Sequence, residues 1–252
     1  MNSKQCALRK QLKPLIDAVW RENIRLKAAG LVTFTWGNVS AMDRATGIVA
    51  IKPSGVDYKT LMPDDIVLTD LKGNLVASRL QPSSDLPTHL VMYRAFPDIG
   101  AVVHTHSAYA TAFAQACRPL PCLGTTHADY FRGVIPVTDR MTQKDIQSNY
   151  EARTGDMIVN KIRKLRVNPL ECPSIFVANH APFSWGPTAA KAVENAIVLE
   201  EICKMAWLTY ALNAKTRPVA SCLLEKHYRR KHGAGAYYGQ SRCQRGQRAK
   251  HG

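Results

Sequence analysis

The stretch AVVHTHSAYA, residues 101–110, decides how the chain is read. Ala101, Val102 and Val103 form an apolar run in front of His104, and His106 follows two residues later. A short apolar run of this kind reads as a buried strand, and side chains two apart on a strand point to the same face. His104 and His106 can then bring two ring nitrogens to one point in space, as a chelate does. Two hydrogen-bonded histidines beside a core would leave the same pattern, so the spacing by itself leaves both readings open.

The flanking sequence alternates helix and strand signals. Upstream, residues 82–96 (PSSDLPTHLVMYRAF) open with capping chemistry around Asp85 and continue as a helix that ends before Pro97. Residues 31–43 and 47–55 are rich in β-branched side chains, with Gly37, Asn38 and Gly47 as punctuation, and predict a hairpin or meander. Residues 66–78 repeat that pattern around a turn at Lys72, Gly73 and Asn74. Pro14 to Ala29 reads as a helix with Gly30 just past its end, which leaves residues 1–11 as a ragged N-terminal extension. Downstream, residues 141–165 read as one helix with capping-box spacing at Thr142 and Asp145 and a break at Gly155. Residues 174–180 (SIFVANH) read as a strand, 188–213 as a long helix capped by Thr188, and 222–233 as a shorter one closed by Gly233. Helices cover a sheet on both faces: the expected fold is α/β, a three-layer α/β/α sandwich around a mixed, mainly antiparallel sheet.

Composition narrows the function classes. The 252 residues are 46% hydrophobic and 21% charged, the balance of one soluble globular domain rather than of a disordered chain. That domain is assigned to residues 12–240, with 241–252 a basic tail expected to be disordered. The first thirty residues scatter Lys and Arg throughout and form no apolar signal segment. The most apolar helix, residues 196–212, is interrupted by Glu200, Glu201 and Lys204, which argues against a membrane span. A cytoplasmic address is expected. The 7 cysteines are scattered, with neither a C-x-x-C pair nor zinc-finger spacing, and read as reduced thiols. The net charge of +15 suggests an anionic partner, but the tail alone holds Arg242, Arg245, Arg248 and Lys250. No nucleic-acid motif or interleaved stacking aromatics accompany the charge, so specific nucleic-acid binding is not expected and a small anionic substrate is. The glycine-rich run at 233–239 lacks dinucleotide spacing and follows a helix rather than a strand.

Further ligand candidates stand at predicted element ends. His180 closes the strand SIFVAN, and Asp85 sits at the start of a helix. Three imidazoles and a carboxylate form a donor set that Zn2+ accepts, and Mn2+ or Co2+ also fit. A structural zinc site more often uses cysteine, so this set points to a catalytic one. Taken singly, Asp85 is an ordinary helix cap and His180 an ordinary surface histidine.

The motifs TWGNVSAMD, IKPSGVDY, QPSSDLPTH, VVHTHSAYAT, GTTHADYF, APFSWG, NAIVLEE and EKHYRRKHGAGAYYGQ occur in one order along residues 12–240. In this the chain resembles the class II aldolase and adducin superfamily, and is most similar to its L-ribulose-5-phosphate 4-epimerase branch. The resemblance implies a metal site of Asp85, His104, His106 and His180. It also implies a phosphate pocket of Gly37, Asn38, Lys52, Ser54, Gly55, Ser83 and Ser84, where turn amides, small hydroxyls and one lysine suit a dianion. Asp129 and Tyr238 match the acid/base pair, and Thr125, His227 and Arg230 match supporting positions. Ala181 stands where many members have glycine. The family is a homotetramer with sites between subunits, which places Asp129 and Tyr238 across an interface. The implied substrate is a phosphorylated ketopentose from arabinose- or ascorbate-type catabolism, epimerised at C4. Two rivals remain: a sugar-phosphate aldolase of the fuculose or rhamnulose type, whose members usually carry glutamate in place of Asp85, and an adducin-like binding protein without activity.

Overall fold

Six short apolar runs pair into one sheet in the computed structural model, which describes residues 2–233 and 236–237. The strands are β1 (Asn38–Asp43), β2 (Ile48–Ile51), β3 (Val67–Thr69), β4 (Ala101–His104), β5 (Ser174–Phe176) and β6 (Pro182–Gly186), in the order β3-β2-β1-β4-β6-β5. Every pairing between these strands is antiparallel. A parallel pairing occurs in the isolated bridge between Val137 and Phe176.

Side-chain alternation sends Val39, Ala41, Ala101 and Val103 to one face of the sheet, and Val49, Ile51 and Val102 to the other. The first face is covered by α2 (Lys13–Ala28) and the N-terminal half of α8 (Ala189–Leu212), with Leu8 of α1 (Ser3–Gln11) packed at the margin. The second face carries α3 (Leu86–Ala95) and α7 (Tyr150–Leu165). A third apolar cluster joins α4 (Ala108–Gln115) to the C-terminal half of α8 around Phe131, Ile135 and Phe176. The shorter helices α5 (Thr125–Ala128) and α6 (Gln143–Gln147) and the final α9 (Ser221–Lys231) complete the helical layers.

Several local expectations give way to tertiary contacts. Residues 3–11 are helical rather than ragged, with Asn2 and Gln5 forming a capping box. Arg9 of that helix is buried, and its guanidinium donates to the carbonyls of Pro63, Asp64, Ile66 and Ala77. The stretch before β1 is a turn rather than a strand: the Tyr58 hydroxyl contacts the Trp36 carbonyl at 3.1 Å and the Gly37 carbonyl at 2.7 Å. Gly37 has φ +82°, and a Cβ there would stand 2.8 Å from the His104 carbonyl oxygen. The hairpin expected over 66–78 reduces to β3 and a single bridge from Thr69 to Leu75. The helix expected over 141–165 divides at Ser148 and Asn149, not at Gly155. Gly155 is needed instead for close packing, since a Cβ there would stand 2.7 Å from Val91 Cβ on α3. The strand expected through His180 ends at Phe176, and residues 177–181 turn into β6.

Candidate active site and metal centre

His104 ends β4 in the middle of the sheet, paired with Asn38 of β1 on one side and Phe183 of β6 on the other. Its ring stacks on that of Phe183 with centroids 4.3 Å apart, and its Nδ1 lies 3.0 Å from the Pro182 carbonyl oxygen. A carbonyl only accepts, so Nδ1 carries the hydrogen and Nε2 keeps its lone pair. That Nε2 stands 3.1 Å from Nε2 of His106. Two nitrogens bound to one tetrahedral zinc at about 2.0–2.1 Å are separated by roughly 3.3 Å, so the pair already has close to a chelating bite. His180 supplies the third nitrogen: one ligand atom from each of the three imidazoles lies within 4.8 Å of the others. Burial pushes the His180 imidazole down to about 4, helped by His104 and His106, and burial also lowers His106. Both are therefore neutral at neutral pH, the form that ligates a cation. The residues present fit a zinc-like ion.

Asp85 occupies the N-cap position of α3 but makes no side-chain capping bond. Its carboxylate is turned into the site, accepting from Asn38 Nδ2 at 2.7 Å and Ser83 Oγ at 3.3 Å. Burial would raise its pKa, but His104, His89 and the Asn38 amide outweigh that and hold it below the ordinary carboxylate value. Asp85 lines the same cavity as the three imidazoles, while the group within 4.8 Å of one another consists of the imidazoles alone.

This cavity has a volume of about 520 Å³, and all eleven residues assigned above to metal and phosphate line it. The end of the cavity lined by Lys52 and the serines is built where two loops meet: Ser54 N donates to the Gln81 carbonyl and Ser83 N to the Lys52 carbonyl, each at 3.0 Å. Those bonds set Ser54 and Gly55 beside Ser83 and Ser84. Lys52 is only 1% exposed, with Nζ donating to the Pro53 carbonyl at 3.3 Å and standing 4.7 Å over the Tyr58 ring. Burial pulls its pKa down to about 8, opposed by Asp57. A desolvated ammonium beside small hydroxyls is prepared for an anion.

Sequence reasoning missed Thr35, Trp36, Pro53, Tyr150 and Glu151, which also line the cavity. Trp36 tilts toward His106, with centroids 6.2 Å apart, and the Tyr150 hydroxyl lies 3.3 Å from His180 Nδ1. Ala181 needs no glycine: the left-handed residue of that turn is Asn179, with φ +61°.

Asp129, Thr125, His227 and Arg230 do not line this cavity. They gather between α5 and α9, where Arg230 grips the Asp129 carboxylate through Nε at 2.8 Å and a terminal nitrogen at 2.5 Å, and His227 Nδ1 approaches at 3.1 Å. Burial raises the Asp129 carboxyl, but the bonds from Arg230 and His227 win and keep it below the usual range. Tyr238 and the basic tail lie outside the described residues.

The profile described as Class II Aldolase and Adducin N-terminal domain matches residues 18–207. The chain belongs to this family. Among curated members, L-ribulose-5-phosphate 4-epimerase UlaF of Salmonella paratyphi B is 49% identical over 229 residues, which is 91% of this chain and 100% of that protein. The protein of the same name from Salmonella typhi matches to the same extent. Family folds recur among solved structures: an L-fuculose 1-phosphate aldolase superposes with TM-score 0.71 at 23% identity, over 86% of this chain and 95% of the other. An aldolase II superfamily protein from Pseudomonas syringae gives 0.70 at 15% identity, over 97% and 96% of the two chains.

Proposed function

We propose that the protein is an L-ribulose-5-phosphate 4-epimerase, interconverting L-ribulose 5-phosphate and D-xylulose 5-phosphate by opening and re-forming the C3–C4 bond. The observation that carries this reading is one cavity in which three convergent imidazoles face a lysine- and serine-lined cradle. Full-length similarity to proteins named as this epimerase supports it. The C4 hydrogen of a 2-ketopentose is not adjacent to the carbonyl, so inversion by direct deprotonation is not available. Cleavage, rotation of the aldehyde fragment and rejoining from the opposite face avoid that barrier.

His104, His106 and His180 hold a divalent cation, with Asp85 as the fourth protein ligand. When bound, the cation supplies Lewis-acid stabilisation of the enediolate charge that develops on the first three carbons. Lys52, Ser54, Ser83, Ser84 and the turns at Gly37, Asn38 and Gly55 hold the phosphate. Retaining that end keeps the glycolaldehyde phosphate fragment in place while it rotates, which distinguishes an epimerase from an aldolase. Asp129 and Tyr238 form the acid/base pair, one removing the C4 hydroxyl proton and the other protonating the re-adding aldehyde oxygen. Thr125, His227 and Arg230 orient that pair.

The separation of the Asp129 cluster from the cavity supports a homotetramer whose sites are completed by a neighbouring subunit. So does the exposed apolar surface on the last turns of α8, where Trp207 is 55% and Leu212 89% exposed. Residues 12–240 form the catalytic domain. The histidine-rich donor set favours zinc, and the protein works in the cytoplasm.

Product analysis tests the reading. Purified protein supplied with zinc and L-ribulose 5-phosphate yields D-xylulose 5-phosphate without free glycolaldehyde phosphate. Accumulation of the aldehyde without epimer would make the protein an aldolase, and absence of reaction with metal bound would return it to the adducin-like class.

A further inference from the structure

We infer that Tyr150 is a positioning residue for the metal ligand His180, accepting the hydrogen of Nδ1 and so presenting Nε2 to the ion. The inference rests on the metal reading of the three-imidazole group, though not on the identity of the sugar.

The three imidazoles are not held equally. His104 sits on a central strand, and its Nδ1 is bonded to a backbone carbonyl, that of Pro182. His180 sits in the turn between β5 and β6, where its backbone nitrogen donates to the Val177 carbonyl at 3.0 Å. A ring carried on a turn needs an outer hydrogen-bond partner to fix its rotation and tautomer. The Tyr150 hydroxyl is that partner, at 3.3 Å from Nδ1. Because the Pro182 contact uses main chain, substitution at 182 leaves the carbonyl bonded to His104 in place. Tyr150 is thus a side chain through which the hold on His180 can be tuned without touching a ligand.

The fold invests in holding Tyr150 still. The division between α6 and α7 makes it the first residue of α7 and places it on the cavity wall. Its own carbonyl accepts from Thr154 Oγ1 at 3.0 Å, and the next carbonyl, of Glu151, accepts from Thr88 Oγ1 on α3 at 2.6 Å. Gly155, one turn further, lets α7 approach α3 closely enough for that second bond. A continuous helix through 148–149, as the sequence pattern suggests, would turn the Tyr150 side chain to a different bearing.

The test is zinc affinity of the purified full-length chain, measured by competition with a chromogenic chelator, for wild type and Tyr150→Phe. The phenylalanine keeps the ring and removes the acceptor, so the melting temperature of the metal-free protein stays unchanged while zinc affinity falls about 10- to 100-fold, the range for losing an outer partner of a ligating histidine. Zinc affinity within twofold of wild type would overturn the inference. A double-mutant cycle decides whether the loss runs through His180. In a His180→Ala background Tyr150→Phe produces no further loss of zinc binding if it acts through His180, and an additive loss would show that it does not. Neither readout requires turnover, so failure here is distinct from failure of the epimerase assignment.

Discussion

At the scale of single residues, Lys52 is a buried ammonium whose charge the fold holds at a cost. Its ammonium is nearly inaccessible, and burial brings its pKa down to about 8 from the ordinary lysine value of 10.5. A lysine whose pKa is lower in the folded than in the unfolded state costs stability below the folded value. That cost, about 3 kcal/mol, shrinks as pH rises through the window from 8 to 10.5, because the unfolded chain then binds the extra proton. Replacing Lys52 with Met, of similar length and no charge, therefore preserves or raises the melting temperature of the ligand-free protein at pH 7. The same change raises KM for the sugar phosphate by at least tenfold, since a charged hydrogen bond to a dianion is lost. In the wild type KM climbs above pH 8, as Lys52 must regain a proton to bind phosphate, and in the variant that climb disappears. Thermal denaturation together with a KM–pH series checks both limbs; a lowered melting temperature with unchanged KM would make Lys52 structural.

At the scale of elements, the decisive packing is α7 on α3, and Gly155 controls it. Alanine would improve helix propensity at this position by about 1 kcal/mol. Its Cβ, however, would stand 2.7 Å from Val91 Cβ and 3.0 Å from the Thr88 carbonyl, neither of which can swing aside. Overpacking of this kind costs about 1–3 kcal/mol, so Gly155→Ala lowers the denaturation midpoint without changing its slope. A rise in stability would show that the two helices have room to separate. What the sequence made legible follows from the range of each signal. The convergence of His104 and His106 was readable because the apolar run before His104 is a local strand signal, although β4 ends at His104 and His106 lies two residues past it. That Lys52, Ser54, Ser83 and Ser84 share one cavity was readable only through motif order, because Ser54 and Ser83 meet across a bridge between residues 53 and 82 that no local pattern encodes. Tyr150 was not readable, since helical periodicity runs on through the break at Ser148 and Asn149. Strand β6 and helix α4 were also missed. The first hides in the PFSWG run directly behind a turn, and the second in the small-residue run after His106. Arg9 went unread for a related reason: nothing near it in sequence announces that its four carbonyl partners lie more than fifty residues away.

At the scale of the whole molecule, the two halves of the proposed chemistry stand apart within one chain. The imidazoles share a cavity with Lys52, Ser54, Ser83 and Ser84, and the Asp129 cluster lies elsewhere, its carboxylate engaged by Arg230 and His227. If both halves serve one reaction, the second must come from another copy, and the geometry of a closed ring makes that testable. His104→Ala removes the metal half and leaves the Asp129 half intact; Asp129→Asn does the reverse. Each variant alone is inactive. Unfolded and refolded together in equal amounts, they form sites of four combinations, of which one pairs an intact metal half with an intact acid half, so activity returns to about a quarter of wild type in a head-to-tail ring. Sites confined to single subunits would return none. The same mixing separates shared sites from simple stabilisation by assembly, because refolding either variant with itself gives a full complement of oligomer and no activity. Recovery that scales with the product of the two mole fractions, followed by turnover of L-ribulose 5-phosphate, identifies an interface that carries catalytic groups. No recovery at any mixing ratio would place the acid/base pair and the metal within one chain.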